Sequence, residues 1–249
     1  MGLGFLSGVL SDAEVDDGLP PLFPWPGGQS REARKLVAAM PPHDAYVEGF
    51  AGGLSVFWRK PLAPAANAVS DTSDYLIPLY DQVRRGALRG FLGVRYSRRA
   101  YERCASRPRP DARCNMTLLH LGFNGQRYGG FGAKNGIQEG AVIGRSKFSR
   151  IGLYETKLRR TALHRRSFDE VMRLYDSPTT LHFLDPPWTM EGTTQNRVAS
   201  RFYEGNVGVT PEQVARVARE MQGTVWVIYQ DDSLVRETFC RRRGVGALN

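Results

Sequence analysis

Short apolar runs at 45–50, 65–70, 179–184 and 224–229, separated by stretches with helical patterning, constrain this chain more than any other feature. Runs of that length suit strands buried on both faces, and their alternation with helices indicates a parallel, doubly wound sheet. Ser30 can cap a helix over 31–40, which Pro41-Pro42 stops. The 45–50 strand and a helix over 54–60 form a first βα unit. A weaker strand at 65–70 ends at Asp71, and a helix follows through Tyr75, Leu79 and Val83. Alternation resumes near Thr161-Ala162-Leu163, and Ser167-Phe168-Asp169-Glu170 reads as a capping box opening a helix to Tyr175. A second capping box, Thr210-Pro211-Glu212-Gln213, carries proline at the first helical position, with Gly223 expected to end that helix. A terminal helix over 232–242 follows the last strand.

A chain of 249 residues can bury one sizeable core with room for a subdomain. No stretch approaches the ~18 apolar residues of a membrane span, so no membrane partner is expected. No charged region precedes the short apolar start, so no signal peptide is expected either. Leu6 breaks the myristoylation pattern that Met1-Gly2 begins. Cys104, Cys114 and Cys240 form no Cys-x-x-Cys pair, which reads as reduced cytoplasmic thiols and no metal site. Residues 1–22, Gly-rich and then acidic, are expected to be a poorly ordered tail.

Charge is unevenly spread. Residues 84–166 hold 20 Lys and Arg against 4 Asp and Glu, whereas the rest holds 14 against 21. A basic segment set into a mildly acidic body is the footprint of a phosphate-backbone binder. Its glycines and arginines suggest loops and short elements, an insertion over 84–157 between two parts, 23–83 and 158–249, of one domain.

Two motifs carry chemistry. Asp185-Pro186-Pro187-Trp188 closes the run Leu181-His182-Phe183-Leu184. An acid and a backbone carbonyl there can accept from the exocyclic amine of a flat base, with the prolines stiffening the turn and the ring stacking. Upstream, Glu48-Gly49-Phe50-Ala51-Gly52-Gly53 turns a strand into a helix, and its glycines let backbone approach a ligand closely. The spacing is not Gly-x-Gly-x-x-Gly, so no nicotinamide or flavin site is indicated.

These motifs, in this order and with a basic region between them, resemble the Dam-type DNA adenine methyltransferases from about Phe23 onward. The resemblance implies a Rossmann-like, mostly parallel sheet of the class I methyltransferase kind with an inserted Arg-rich target-recognition subdomain. It also implies S-adenosyl-L-methionine as cofactor and double-stranded DNA as substrate, with an adenine flipped out for methylation at N6. A cognate restriction enzyme is a further partner of this class, and a monomer or weak dimer is expected. The setting implied is the cytoplasm of a prokaryotic or virus-infected prokaryotic cell.

The resemblance implies roles residue by residue. Asp185 and the Pro186 carbonyl would accept from the target amine, with Pro187 completing the turn and Trp188 stacking on the base. The cofactor would meet Glu48, Phe50, Ala51, Gly52, Gly53 and Ser55 of the first turn, with Asp71 and Thr72 at the ribose. Phe168 would pack on its adenine, and Ser167, where the family has Asp, would bond the adenine amine or only cap its helix. The family's Lys-Trp-x-Gly-Gly-Lys stretch reads Pro24-Trp25-Pro26-Gly27-Gly28-Gln29, keeping Trp25, Gly27 and Gly28 and losing both lysines. In the basic segment, Arg95, Arg98, Arg99, Arg103, Asn124, Arg127 and Lys134 are expected at DNA, with Tyr128 and Phe131 as wedges or stacking groups.

Two alternatives stay open: the same chemistry on RNA adenine or on the cytosine N4 amine, and a catalytically weak relative that only binds DNA. Residues 189–210 are expected to form a long structureless connection. Tyr229-Gln230-Asp231-Asp232 spells a polymerase-like tetrad without the partner acids two-metal chemistry needs. His164 with Arg165 and Arg166 reads as a phosphate or surface cluster.

Overall fold

The computed structural model describes residues 18–187, 208–229 and 233–240. The first part runs α1 (Ala33–Ala39), β1 (Ala45–Glu48), α2 (Ser55–Arg59), β2 (Ala66–Ser70) and α3 (Leu76–Arg84). The basic segment supplies β3 (Val94–Arg95), α4 (Arg98–Ala105), α5 (Ala112–Leu121), β4 (Val142–Ile143), α6 (Arg145–Phe148) and α7 (Ile151–Arg159). Then come β5 (Ala162–His164), α8 (Phe168–Tyr175), β6 (Thr180–Leu184), α9 (Pro211–Glu220), β7 (Thr224–Val227) and α10 (Ser233–Cys240).

Five strands make one all-parallel sheet in the order β5-β2-β1-β6-β7, with β3 and β4 pairing separately. The sheet starts at its centre with β1, steps outward through β2 to β5, then continues from β6 to β7 on the other side. Strand order therefore reverses between β1 and β6, which is where α/β sheets open a crevice. Side chains of both parities are buried, as a sheet covered on two faces requires. Tyr46, Val69, Leu181 and Phe183 join Phe57, Trp58 and Tyr80 on one face. Val47 and Ala68 meet Val171 of α8 on the other. The architecture is an α/β fold of the doubly wound kind.

The expected boundaries at 83/84 and 157/158 fall inside α3 and α7. Tyr96, Tyr101, Leu118, Phe148 and Tyr154 of the basic segment share one apolar cluster with Phe57 and Trp58. The segment therefore rests on the same core as the sheet.

Four expectations are corrected. Cys104 and Cys114 are joined as a disulfide, so two of the three thiols are not reduced, and the cysteine argument for a cytoplasmic setting falls with them. The short connection between α4 and α5 folds the helices together and brings the two Cα atoms to 5.2 Å. Gly18, Leu19 and Leu22 are buried instead of loose, with the Leu19 N–H donating to the Trp58 carbonyl at 2.9 Å. Ser30 does not cap α1: Glu32 stands at that position without a side-chain capping bond, and the Ser30 hydroxyl meets that of Ser55 at 3.2 Å. Finally, α9 ends at Glu220, and Gly223 instead allows a close approach, since a Cβ there would lie 2.5 Å from the Thr180 carbonyl. Both predicted capping boxes are present, at Ser167 and Thr210. Among the described residues no helix is long and apolar enough to cross a membrane. Residues 1–17, most of the 189–210 connection and Gln230-Asp231-Asp232 lie outside the described residues.

Candidate active site

A cleft opens at the carboxyl ends of β1 and β6, where Glu48 pairs in register with Phe183. Three stretches distant in sequence line it: residues 25–29, Glu48 with residues 50–56, and Phe183, Asp185 and Pro186. The cleft is shallow and open: its empty space is about 410 Å³ only when the solvent at its mouth is included.

The turn between β1 and α2 is built tightly. Gly49 faces Leu184 and Phe168, where a Cβ would come within 2.8 Å and 3.0 Å of their side chains. Gly52 has φ +43°, and the next two positions lead to Leu54 at φ +53°, a left-handed conformation that costs a non-glycine residue about 1 kcal/mol or more. Leu54 is buried, which offsets that strain. Both backbone groups of Gly52 are held: its N–H donates to Asp71 Oδ2 at 3.1 Å, and its carbonyl accepts from the Tyr80 hydroxyl at 2.6 Å. Trp25 lies against the turn, so that a Cβ on Gly52 would meet its Nε1 at 2.6 Å and one on Gly53 its Cβ at 2.8 Å.

Two carboxyls face this space. Burial pushes Asp185 up to about 7, against the pull of a hydrogen bond from Gln29 Nε2 to its Oδ1 at 3.2 Å. Burial likewise pushes Glu48 up to about 8, partly opposed by the Tyr46 hydroxyl, which donates to Oε2 at 2.8 Å. Behind Glu48, burial lowers Lys60 to about 8, its ammonium lying 4.3 Å from the centre of the Tyr46 ring. Burial also lowers Lys157 of α7 to about 7, and its ammonium donates to the carbonyls of Trp58 and Lys60 at 3.1 and 2.5 Å. Those carbonyls end α2, so the helix behind the glycine turn is pinned from the basic segment.

The expected residues divide. Trp25, Gly27, Gly28, Glu48, Phe50, Ala51, Gly52, Gly53, Ser55, Asp185 and Pro186 all line the cleft. Asp71 does not: it is buried beneath the turn, its second oxygen accepting from the Ser73 N–H at 2.9 Å. Thr72 follows it outside the lining, and Pro187 follows Pro186 half-buried. Ser167 and Phe168 also stand outside. The Ser167 hydroxyl donates to Glu170 at 2.8 Å as part of the cap, and Phe168 stacks on Phe50 at 5.1 Å, shaping the cleft from behind. Trp188 lies outside the described residues.

In the basic segment Arg95, Arg98, Arg99, Arg103 and Asn124 are exposed. Tyr128 is half exposed, whereas Phe131 packs against Tyr96 and Tyr101 with the Arg98 guanidinium 4.8 Å above it, so it is not a free wedge. Arg127 lies 3.7 Å from the centre of the Tyr75 ring and donates to the Tyr128 hydroxyl at 3.0 Å. Lys134 is half-buried, its N–H donating to the Tyr96 hydroxyl at 2.9 Å. The loop carrying Asn124 and Arg127 abuts the cleft wall, because a Cβ on Gly125 would come within 2.8 Å of the Pro24 carbonyl. His164 donates to or accepts from the Tyr175 hydroxyl at 2.9 Å and so belongs to the packing of α8 on β5.

Sequence reading missed Tyr46, Tyr80, Lys157 and the Gln29 contact. Only Gln29 carried a signal, by standing where a lysine is usual. Comparison with protein-family models yields no match, and neither does comparison with curated proteins.

Proposed function

We propose that this chain is an S-adenosylmethionine-dependent methyltransferase acting on the N6 amine of an adenine flipped out of double-stranded DNA. One observation carries the reading. The glycine turn after β1, the Trp25 to Gln29 stretch and the Asp185-Pro186 pair converge on one cleft at the strand-order reversal of a parallel sheet.

The residues fit the amino-acid end of the cofactor in part: Glu48 and Ser55 line the cleft beside the glycine turn, whereas Gly52 already spends its N–H and carbonyl on Asp71 and Tyr80, and Trp25 lies over Gly52 and Gly53. Asp71 fits a ribose less well, being spent on holding Gly52 and Ser73. When bound, the cofactor supplies an activated methyl group on a sulfonium. The chain then has to bind and orient. Asp185 and the Pro186 carbonyl accept from the amine and turn its nitrogen lone pair toward the methyl, which makes transfer a matter of positioning in a dry pocket. The departing proton has an acceptor in Asp185, whose raised pKa suits that role. Flipping the base costs roughly a few kcal/mol, which phosphate contacts from the exposed arginines offset.

A second reading, a DNA binder without transfer, is favoured by Gln29 and Trp25 standing in the cleft. Labelled-methyl transfer to unmethylated duplex and to RNA, followed by nucleoside analysis, separates the readings. N6-methyladenine in DNA, abolished in Asp185→Ala with duplex affinity retained, is the expected result. Label in RNA or in N4-methylcytosine would reassign the substrate. No label in any of them, with duplex binding intact, would leave the binder.

A further inference from the structure

The stretch before the cleft wall is moored to the basic segment at three consecutive residues. The Pro20 carbonyl accepts from the Tyr154 hydroxyl of α7 at 2.8 Å. The Pro21 carbonyl accepts from Lys147 Nζ of α6 at 2.8 Å, and the Leu22 carbonyl accepts from His120 Nε2 of α5 at 3.0 Å. Each bond comes from a different helix of the segment that holds the excess of positive charge. His120 is almost wholly buried there, so its donation to Leu22 is not a solvent-exchanged contact.

From these moorings the strand of chain runs straight into the cleft. Phe23 is fully buried, stacked on Tyr80 at 5.8 Å, the residue whose hydroxyl holds the Gly52 carbonyl. Pro24 lies under Gly125 of the exposed loop that carries Asn124 and Arg127. Trp25 covers Gly52 and Gly53, and Gln29 presents an amide NH₂ to Asp185. Four prolines, at 20, 21, 24 and 26, stiffen the stretch and remove backbone donors. Its position is therefore set by what its carbonyls and side chains touch, and a shift at one end is passed along it.

We propose that residues 20–29 form a strap coupling nucleic-acid contact on the basic segment to the opening of the cleft. The Gln29 NH₂ occupies Oδ1 of Asp185, an acceptor that a base amine would use, so the strap keeps that oxygen covered until the segment it is tied to engages a duplex. This rests on the proposed nucleic-acid reading of the basic segment, and it goes beyond it by assigning Tyr154, Lys147 and His120 a task away from both the phosphates and the chemistry. They are positioning residues for Trp25 and Gln29. Two sites joined through one element that both can bias is the physical requirement for coupling.

The test uses the full chain and a 20-base-pair unmethylated duplex, with binding followed by fluorescence anisotropy and backbone exchange by deuterium mass spectrometry. In the wild type, saturating duplex should change exchange in peptides spanning residues 25–33 by about fivefold or more, the lower range of ordinary coupling. Tyr154→Phe keeps the ring packed on Trp58 and removes only the bond to Pro20. It should bind duplex as the wild type does, yet lose most of that response. Lys147→Met gives an independent cut at Pro21. Duplex binding with unchanged exchange at 25–33 in the wild type would overturn the strap, as would an undiminished response in both variants. Failure of the wild type to bind duplex at all would be a different result, since it removes the nucleic-acid reading and the strap with it.

Discussion

Asp185 answers to two opposed influences. Burial favours its protonated form and lifts it to about 7, while the Gln29 amide favours the carboxylate. An acceptor for a base amine has to be ionised. The rate constant kcat/KM for methyl transfer should therefore fall about tenfold per pH unit below pH 7 and level off above it. Gln29→Ala removes the one bond that pulls the group down, so its acid limb should move to higher pH. A profile flat from pH 5.5 to 8 would take the Asp185 proton out of the reaction. The same residues weaken the fold at alkaline pH. Asp185 and Glu48 both have folded values above their unfolded ones, so they add stability below about pH 4 and withdraw it as pH rises through 7 and 8.

At the scale of elements, one carboxylate ties the strand carrying Asp185 to its neighbour. Asp176 closes α8 and accepts from the N–H groups of Gln222 and Gly223, at 2.9 and 3.1 Å, and from the wholly buried His182 at 3.1 Å. Gln222 and Gly223 lead into β7, so this residue sets how β6 and β7 meet below the cleft. Asp176→Ala should cost about 2 kcal/mol, read as a lower urea midpoint, because it leaves His182 and two backbone donors without that partner. Its carboxyl lies below the usual range, chiefly through those backbone bonds working against burial. The contribution is therefore present above about pH 4 and lost as pH falls through the folded value. An unchanged midpoint would mean water replaces Asp176 at no cost.

Elements were legible in this sequence wherever a local signal sufficed. The β1, β2 and β6 runs and the capping boxes at Ser167 and Thr210 gave the alternation because strand burial and caps act over a few residues. The helices α4 and α5 were not separately legible, although Ser97 and Asp111 cap them, since arginine and glycine richness masked the short apolar faces. The cleft was readable as two motifs and a rim. Ser167 as a helix cap was readable too, its partner Glu170 standing three residues on, whereas what Asp71 and Phe168 do there was not, because each is claimed by a partner that only the packed structure supplies. The disulfide depended on a helix pair folding back, which a spacing of ten residues does not reveal.

For the whole molecule, charge and core are arranged differently. Charge is segregated, with 20 basic and 4 acidic residues in 84–166, yet one apolar cluster runs beneath both parts. Under the proposed function, a phosphate grip built this way would hold its ligand at a fixed place relative to the cleft, which base extrusion needs more than it needs affinity. Binding of duplex should then be dominated by released counterions, and its logarithm should fall linearly with the logarithm of salt, by roughly 0.9 per phosphate neutralised. Arg98→Ala, Arg99→Ala and Arg103→Ala, all on the exposed start and face of α4, should each flatten that slope by about 1. Arg216→Ala on α9, where the guanidinium meets Glu220 at 3.3 Å outside the basic segment, should leave the slope unaltered. Titrations of labelled duplex from 50 to 200 mM salt measure all four, and equal slopes for the α4 variants and the wild type would move the grip elsewhere on the molecule.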